Sequence, residues 1–291
     1  MNSSQSNSME AYRLALAGLL ASYIDGYTVV DVGAHGTGEA DAYSHALAGQ
    51  GALVIGFEPN AQECARLNEH WRGRRRFFPH AIGSGARGIF HVCKAPLTSS
   101  LLRPNRSLLE AYENLSELCE VTAEIPIDTV RLDDVGEIGA VDFLKLDIQG
   151  ATLMALESAE RLLERTLVVH AEAEFVPIYS GQPLFSECEL FLRRKGFTFH
   201  HFHHLEGRRM KHGEYAVGPT PSQTLWADAV FVPSLQRLDR MPARELTRLA
   251  WTMDVVYGAS DMAMACLARC NGSNGLADAY RKLLAEHGLL T

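Results

Sequence analysis

The chain has 291 residues, of which 47% are hydrophobic and 21% charged, the balance of a globular protein rather than a disordered one. Lysine and arginine total 27 against 35 aspartate and glutamate residues, and this net charge of −8 argues against nucleic acid as the main partner. The early apolar stretch at residues 14–20 is too short to span a bilayer. We therefore expect a soluble, cytoplasmic protein without a membrane span, whose six cysteines are reduced thiols.

From residue 28 onward, short β-rich apolar runs alternate with amphipathic stretches, a pattern typical of a parallel sheet flanked by helices. Helices are predicted over residues 39–48, from Asn60 onward, over 151–159 and around 184–192. We interpret the less regular residues 86–135 as an insertion that covers the sheet and helps to shape a pocket. Strands are predicted at residues 28–32, 53–57, 77–82, 88–93, 121–127, 141–146, 166–171, 197–202 and 226–232, the last of them antiparallel.

The last sixty residues change character, because apolar side chains there recur at helical spacing. Leu246, Leu249 and Met253 fall on one helical face, and Leu276 and Leu283 fall on another. The predicted organisation is an N-terminal tail and helix at 1–27, a main domain at 28–235 and a helical extension at 236–291. We expect the extension to dock on the core or to support a homodimer.

The first predicted strand leads into a glycine-rich turn at residues 33–38. Glycines let the backbone approach a ligand closely, and a following helix N-terminus offers free N–H groups. Dinucleotides and S-adenosylmethionine are both bound by such a turn. Asp31, at the end of the strand, favours S-adenosylmethionine, because a carboxylate suits its cationic methionyl part and repels a pyrophosphate.

Two more carboxylates follow predicted strands. Glu58 ends the second strand, where an acidic side chain can accept both ribose hydroxyls of an adenosyl group, although a carboxylate near a helix start is also favoured by the helix dipole. Asp147 ends the strand at 141–146, where it could hold a substrate hydroxyl, accept its proton or bind a divalent ion. Because parallel strands share one carboxyl edge, both residues are predicted to face the same ligand.

Other titratable side chains are weaker candidates. His170, Glu172 and Glu174 alternate along one strand, so they share one face and could supply a general base or, with Asp147, an oxygen-rich Mg²⁺ site. The histidines at 200–204 lack partners at zinc-finger spacing, which favours a role at the rim of the substrate mouth. Lys145, inside a buried strand, is better explained as an ion-pair partner or as a snorkelling amine than as a base.

The order of these segments resembles that of FkbM-type methyltransferases over about residues 28–235. The resemblance implies a Rossmann-like fold, so we expect a class I methyltransferase sheet that is mostly parallel with an antiparallel last strand. The C-terminal helical extension lies outside the resemblance. The resemblance also implies S-adenosyl-L-methionine as methyl donor and O-methylation of a sugar, polyketide or similar hydroxyl. The matching segments are 30–34 (Val-Asp-Val-Gly-Ala), 57–59 (Phe-Glu-Pro), 99–101 (Ser-Ser-Leu), 132–135 (Leu-Asp-Asp-Val), 142–151 (Asp-Phe-Leu-Lys-Leu-Asp-Ile-Gln-Gly-Ala), 172–175 with Tyr179, and 196–197 (Gly-Phe).

From their positions at the strand ends, the expected catalytic residues are Asp147 as the first candidate for a general base, followed by Glu172 and His170. The chain departs from the family pattern at His35, where Asn is common, at Thr37, the usual second glycine, and at Thr152, where an acidic residue is frequent. The expected cofactor-binding residues are Asp31, Gly33, Ala34, His35, Gly36, Glu58, Pro59, Ile82, Ser100, Asp147 and Gln149.

Two other function classes stay open. An NAD-dependent oxidoreductase predicts Gly-x-Gly-x-x-Gly after the first strand, whereas the glycines here stand at 33, 36 and 38. A catalytically inactive binding or assembly protein is supported only by the altered loop at 35–38. The acceptor is expected to be a small molecule or a glycan, and the aromatic and histidine-rich segments at 175–179 and 200–215 favour a polar, carbohydrate-like one.

Overall fold

The computed structural model describes residues 3–34, 42–48, 51–71, 73–270 and 275–290. His35 and Gly36 of the expected cofactor loop, and residues 39–41 of the helix predicted at 39–48, lie outside these residues. The strands are β1 Thr28–Val32, β2 Leu53–Phe57, β3 Arg75–Phe78, β4 Ala81–Ile82, β5 Arg87–Cys93, β6 Val121–Val130, β7 Val141–Leu146, β8 Thr166–Glu174, β9 Phe197–Gly207, β10 Lys211–His212, β11 Tyr215–Ala216 and β12 Thr224–Pro233.

Helices connect the strands and close both ends of the chain. Short 3₁₀ helices lie at Ser44–Ala48, Pro96–Thr98 and Leu132–Asp134. The α-helices are α1 Ser3–Ile24, α2 Ala61–His70, α3 Arg106–Leu109, α4 Leu115–Leu118, α5 Thr152–Glu157, α6 Glu160–Leu163, α7 Phe185–Arg194, α8 Leu235–Leu238, α9 Ala243–Tyr257, α10 Ser260–Ala268 and α11 Leu276–Glu286. Among the described residues, no helix is both long enough and apolar enough to cross a membrane.

Among the described residues, seven strands form the central sheet in the order β3-β2-β1-β7-β8-β12-β9. The strands from β3 to β8 in this order pair in parallel, and β12 runs antiparallel to both neighbours. This confirms the predicted Rossmann-like sheet, mostly parallel with an antiparallel last strand. The strand order reverses between β1 and β7, which in open α/β sheets is the place where ligands bind.

Each face of the sheet packs on its own apolar core, because successive strand residues point to opposite faces. On one face, Val29 and Phe143 pack against α1 and the C-terminal helices through residues such as Leu16 and Leu249. On the other face, Leu144 and its neighbours pack against α5, α6 and α7. The C-terminal helices therefore complete one face of the sheet together with the N-terminal helix.

Two buried polar contacts hold these helices in place. The guanidinium of Arg248 on α9 donates to both carboxylate oxygens of Asp142 on β7, at 2.8 and 3.1 Å. Asp254, also on α9, accepts hydrogen bonds from the hydroxyls of Tyr12, Ser260 and Tyr280. α1, α9, α10 and α11 are thereby joined around one carboxylate.

The prediction of one continuous strand at 77–82 is wrong. β3 ends at Phe78 and β4 begins at Ala81, and β4 pairs with β6 in a separate sheet of order β4-β6-β5. Pro79 lies between them and has no N–H to continue a ladder, which explains the break. The insertion predicted at 86–135 supplies the rest of this second sheet, hereafter the cover sheet. Of the helix predicted at 39–48, residues 42–48 are described, and they contain a 3₁₀ helix at Ser44–Ala48.

Candidate active site

A cavity of about 760 Å³ opens at the carboxyl ends of β1, β2, β7 and β8, where the strand order reverses. One part of its wall comes from the turn after β1 and from the end of β2, a second part from the cover sheet, and a third from the strands on the β7 side. The described lining residues are Val32, Gly33, Ala42, Phe57, Glu58, Pro59, Asn60, Ala61, His80, Ala81, Ile82, Phe90, Val92, Pro96, Leu97, Ser99, Leu101, Ile125, Ile127, Lys145, Asp147, Ile148, Gln149, His170, Glu172 and Asp228.

Glu58 is held at the cavity by the start of α2. Asn60 caps that helix, because its side-chain oxygen accepts hydrogen bonds from the backbone N–H groups of Gln62 and Glu63. The backbone N–H of Asn60 in turn donates to Glu58 Oε1 at 2.7 Å. The carboxylate thus has a fixed orientation at the end of β2, as the sequence predicted, beside the lining residues Pro59 and Ile82.

Gly33 joins the ends of three strands. Its φ is +84°, and a Cβ at this position would lie 1.9 Å from the carbonyl oxygen of Asp147. The N–H groups of Gly33 and Ala34 both donate to the carbonyl of Phe57 at 3.0 Å, and the N–H of Asp147 donates to that of Val32. Only glycine fits here, so β1 and β7 approach each other directly below the cavity.

Asp31 is buried, and it is not among the described residues that line the cavity. Its carboxylate accepts a hydrogen bond from the hydroxyl of Tyr43 at 2.7 Å and lies 3.5 Å from the Nζ of Lys145. Lys145 Nζ also lies 3.3 Å from Asp147 Oδ2. The predicted ion-pair role of Lys145 is confirmed, and it links Asp31 to a carboxylate that does face the cavity.

Gln149 connects two acidic residues on the β7–β8 side of the cavity. Its side-chain nitrogen donates to Asp147 Oδ1 at 3.1 Å and to Glu172 Oε2 at 2.8 Å, and its side-chain oxygen accepts from the hydroxyl of Tyr179 at 3.1 Å. The hydroxyl of Ser100 donates to the backbone oxygen of Gln149 at 2.6 Å. Ser100 therefore supports the site through Gln149 and is not one of the described lining residues.

The backbone of Gln149 is in the left-handed region, with φ of +51°. This conformation costs a non-glycine residue on the order of 1 kcal/mol and is retained where the surroundings over-determine it. It points the side chain toward Asp147 and Glu172 rather than toward α5, whose N-cap has no side-chain hydrogen bond. The side chain of Gln149 therefore does not cap α5.

The surroundings of Glu172 favour its protonated form. Burial raises its pKa well above the usual range, and the negative charges of Asp147, Glu174 and Asp228 raise it further. Burial also raises the pKa of Glu174, to about 8, although Glu174 is not among the described lining residues. β8 runs to Glu174, beyond the predicted end at 171, so all three alternating polar residues belong to the strand.

His170 lies between two partners at the back of the cavity. Its Nδ1 is 3.0 Å from the hydroxyl of Tyr257, and its Nε2 is 3.5 Å from Asp228 Oδ2. Burial opposes ionisation of Asp228, but the hydrogen bond and the charge of His170 outweigh it and lower the pKa of that carboxyl. Sequence reasoning missed Asp228, although a carboxylate between Ala227 and Ala229 in a buried strand is a detectable signal.

The histidines of β9 lie on the edge strand behind this group. His201 and His203 share one face, with ring centroids 5.0 and 5.3 Å from that of Tyr257. Burial and the neighbouring histidines lower the pKa of His201 to about 4, so the ring is neutral at neutral pH. Across the described residues, no group of three or more histidine, cysteine, aspartate or glutamate side chains is arranged to hold a metal ion.

Residues 31–199 match the family model described as the methyltransferase FkbM domain, which is more than half of the chain. The chain belongs to the FkbM methyltransferase family. It is therefore an S-adenosylmethionine-dependent methyltransferase. The match ends before most of β9 and before β12 and Tyr257, so Asp228 and the histidines at 200–204 lie outside it.

Solved structures share the general architecture at low similarity. One is the magnesium protoporphyrin IX methyltransferase of Synechocystis PCC 6803 with bound SAM (TM-score 0.36, 13% identity, 77% of this chain and 79% of that one). Others are precorrin-6y C5,15-methyltransferase of Geobacter metallireducens GS-15 (0.35, 11%, 76% and 87%) and a SAM-dependent methyltransferase of Aquifex aeolicus (0.30, 10%, 75% and 89%). No curated protein matches this FkbM methyltransferase.

Proposed function

We propose that this FkbM methyltransferase transfers the methyl group of S-adenosylmethionine to a hydroxyl of a small-molecule or glycan acceptor. One observation supports this most strongly: a single cavity joins Glu58, suited to an adenosyl group, with a group of carboxylates around Asp147, suited to a hydroxyl. Methyl transfer needs donor and acceptor aligned in one enclosed space, because positioning supplies much of the rate acceleration.

The residues on the β1–β2 side fit the cofactor. Glu58 would accept hydrogen bonds from the ribose hydroxyls, and Pro59 and Ile82 would contact the adenosyl part. Gly33 lets the backbone approach the ligand, while Asp31 would act through Lys145 rather than by direct contact. When bound, S-adenosylmethionine supplies an electrophilic methyl group on a sulfonium, whose sulfur keeps the electron pair of the broken C–S bond.

Asp147 is the proposed proton acceptor. It lies on the cavity wall, and Lys145 and Gln149 fix its two oxygens in place. The proton of the acceptor hydroxyl passes to Asp147 as the oxygen forms its bond to the methyl carbon. Because the proton goes to the protein and the sulfur leaves neutral, the step balances without a metal ion or a redox partner.

Glu172 is proposed to hold the acceptor oxygen. Gln149 donates to Glu172 Oε2, so the proton favoured by the raised pKa belongs on the other oxygen, Oε1. In that form Glu172 donates a hydrogen bond to the acceptor oxygen while the hydroxyl proton points to Asp147. His170 and Asp228 form the polar back wall behind this arrangement.

The test is transfer of a tritiated methyl group from S-adenosylmethionine to a panel of hydroxylated and aminated compounds, with mass spectrometry to locate the new bond. In Asp147→Asn we expect kcat to fall about a hundred- to a thousandfold, with binding of S-adenosylhomocysteine nearly unchanged. Asp278→Asn, the same exchange on the exposed surface of α11, is the matched control. Methylation at nitrogen, or full activity in Asp147→Asn, would overturn the proposal.

A further inference from the structure

The charge of the cavity wall restricts the kind of acceptor it can take. Among the described lining residues, Lys145 is the one with a permanent positive charge, and its ammonium group already lies beside Asp31 and Asp147. The described wall also carries the carboxyl groups of Glu58, Asp147, Glu172 and Asp228.

A phosphate, sulfate or carboxylate near the methylated hydroxyl would therefore be unfavourable. Anionic ligands are normally held by arginine or lysine side chains, which give charge-assisted hydrogen bonds. Here such a group would lie near the carboxyl groups of Asp147 and Asp228 instead. Repulsion between like charges in a partly desolvated site strongly weakens the binding of an anionic acceptor. The wall thus selects an acceptor whose reacting end carries no negative charge.

A second observation concerns the cover sheet. Phe90 and Ile125 are directly paired across β5 and β6, so their side chains share one face of this sheet, and that face lines the cavity. Val92 and Ile127 lie two residues along and extend the same face, and Leu97 adjoins it. About half of the surface of Ile125 and of Leu97 is exposed, which leaves apolar area at the cavity for a ligand to cover.

We infer that the acceptor is a hydroxylated amphiphile: a neutral, hydroxyl-bearing head near Asp147, Glu172 and Asp228, joined to an aliphatic or aryl segment that lies along Phe90 and Ile125. This inference rests on the proposed function and narrows its acceptor class. Phosphorylated sugars and nucleotide-activated sugars are excluded at the reacting end, and small polar sugars without an apolar segment are weak ligands.

Three matched probes separate these classes: octyl β-D-glucoside below its micelle concentration, octyl β-D-glucoside 6-phosphate, and glucose. The protein is first titrated with S-adenosylhomocysteine until it is saturated. Each probe is then titrated into this complex by calorimetry. We expect octyl glucoside to bind about tenfold or more tightly than either of the other two. Equal binding of the three probes, tighter binding of the phosphate, or no binding of octyl glucoside would overturn the inferred acceptor class.

The chain offers a matched pair of variants for the apolar wall. Ile125→Ser should weaken binding of octyl glucoside about five- to tenfold and leave binding of glucose unchanged. Ile89→Ser is the control, because Ile89 is on the same sheet and equally exposed but is not a described lining residue. An equal effect of both variants would contradict the wall's role. Failure of the first titration with S-adenosylhomocysteine would instead refute the proposed function itself.

Discussion

The carbonyl oxygen of Asp147 occupies the space that a side chain on Gly33 would need, with an ideal Cβ only 1.9 Å away. The turn after β1 and the end of β7 are thus in direct backbone contact below the cavity. Because Gly33 also has a φ of +84°, any side chain there must both adopt a strained conformation and displace Asp147.

Gly33→Ala should therefore lower stability by about 2–4 kcal/mol in urea unfolding and weaken binding of S-adenosylhomocysteine more than tenfold. Gly136→Ala is the matched control, because no described atom lies within 4 Å of its ideal Cβ, and we expect a change within about 0.5 kcal/mol. Wild-type stability and affinity in Gly33→Ala would contradict the backbone contact.

The protonated state of Glu172 predicts a specific pH profile. Because burial and the neighbouring carboxylates raise its pKa, the neutral form persists above the usual range of a glutamate and is lost as the pH rises through the folded value. An amide imitates the neutral acid, so Glu172→Gln should keep activity at neutral pH and lose the alkaline decline of kcat/KM. Glu172→Ala, which removes the hydrogen-bond donor, should reduce kcat about tenfold to a hundredfold at all pH values.

The measurement is the pH–rate profile of wild type and both variants, with binding of S-adenosylhomocysteine measured alongside. If Glu172→Gln binds the cofactor product normally but is inactive at every pH, the carboxylate form of Glu172 is required. The donor role proposed for it would then be wrong.

Glu174 predicts a pH dependence of stability. Its pKa is about 8 in the folded protein against an ordinary value of 4.5, chiefly because of burial. Between these two values the folded state keeps a proton that the unfolded state releases, so stability falls as the pH rises. Glu174→Gln should remove this loss and be more stable than wild type at pH 8, by on the order of 2 kcal/mol.

Urea unfolding of wild type and Glu174→Gln at acidic and mildly alkaline pH measures this directly. Glu110→Gln, on an exposed side chain, is the control and should leave the pH dependence unchanged. A wild-type stability that rises between these two pH values, with no difference in Glu174→Gln, would refute the assignment of the slope to Glu174.

The helices at both ends of the chain are predicted to fold with the sheet as one unit. Asp254 accepts hydrogen bonds from Tyr12 and Tyr280, which lie near opposite ends of the sequence. Asp254→Ala leaves both buried hydroxyls without this acceptor and should cost about 3–5 kcal/mol. A single cooperative transition at lower urea concentration is expected, whereas two separate transitions would indicate an independent helical extension.

The sequence predicts the carboxylates at the ends of the parallel strands better than the polar residues on the late antiparallel strand. Glu58 and Asp147 each follow a short apolar strand of a parallel sheet, so periodicity alone predicts that they share an edge. Asp228 lies on β12, which inserts between β8 and β9, and no local pattern tells where a late antiparallel strand will pair. Its contact with His170 depends on this long-range strand pairing.

Local backbone conformation limits the prediction in a similar way. The left-handed conformation of Gln149 turns its side chain toward Glu172, and a propensity argument for a non-glycine residue does not predict it. The split of the strand at 77–82 had a visible signal in Pro79. The separate sheet that β4 joins did not, because pairing with β6 depends on residues almost fifty positions away.

The most direct test of the account is calorimetric titration with S-adenosylmethionine and S-adenosylhomocysteine, using wild type, Glu58→Ala and an NAD control. We expect micromolar binding of both adenosyl ligands, a loss of affinity of about tenfold to hundredfold in Glu58→Ala, and no binding of NAD. Absence of binding in protein shown to be folded, or an affinity that Glu58→Ala leaves unchanged, would contradict it.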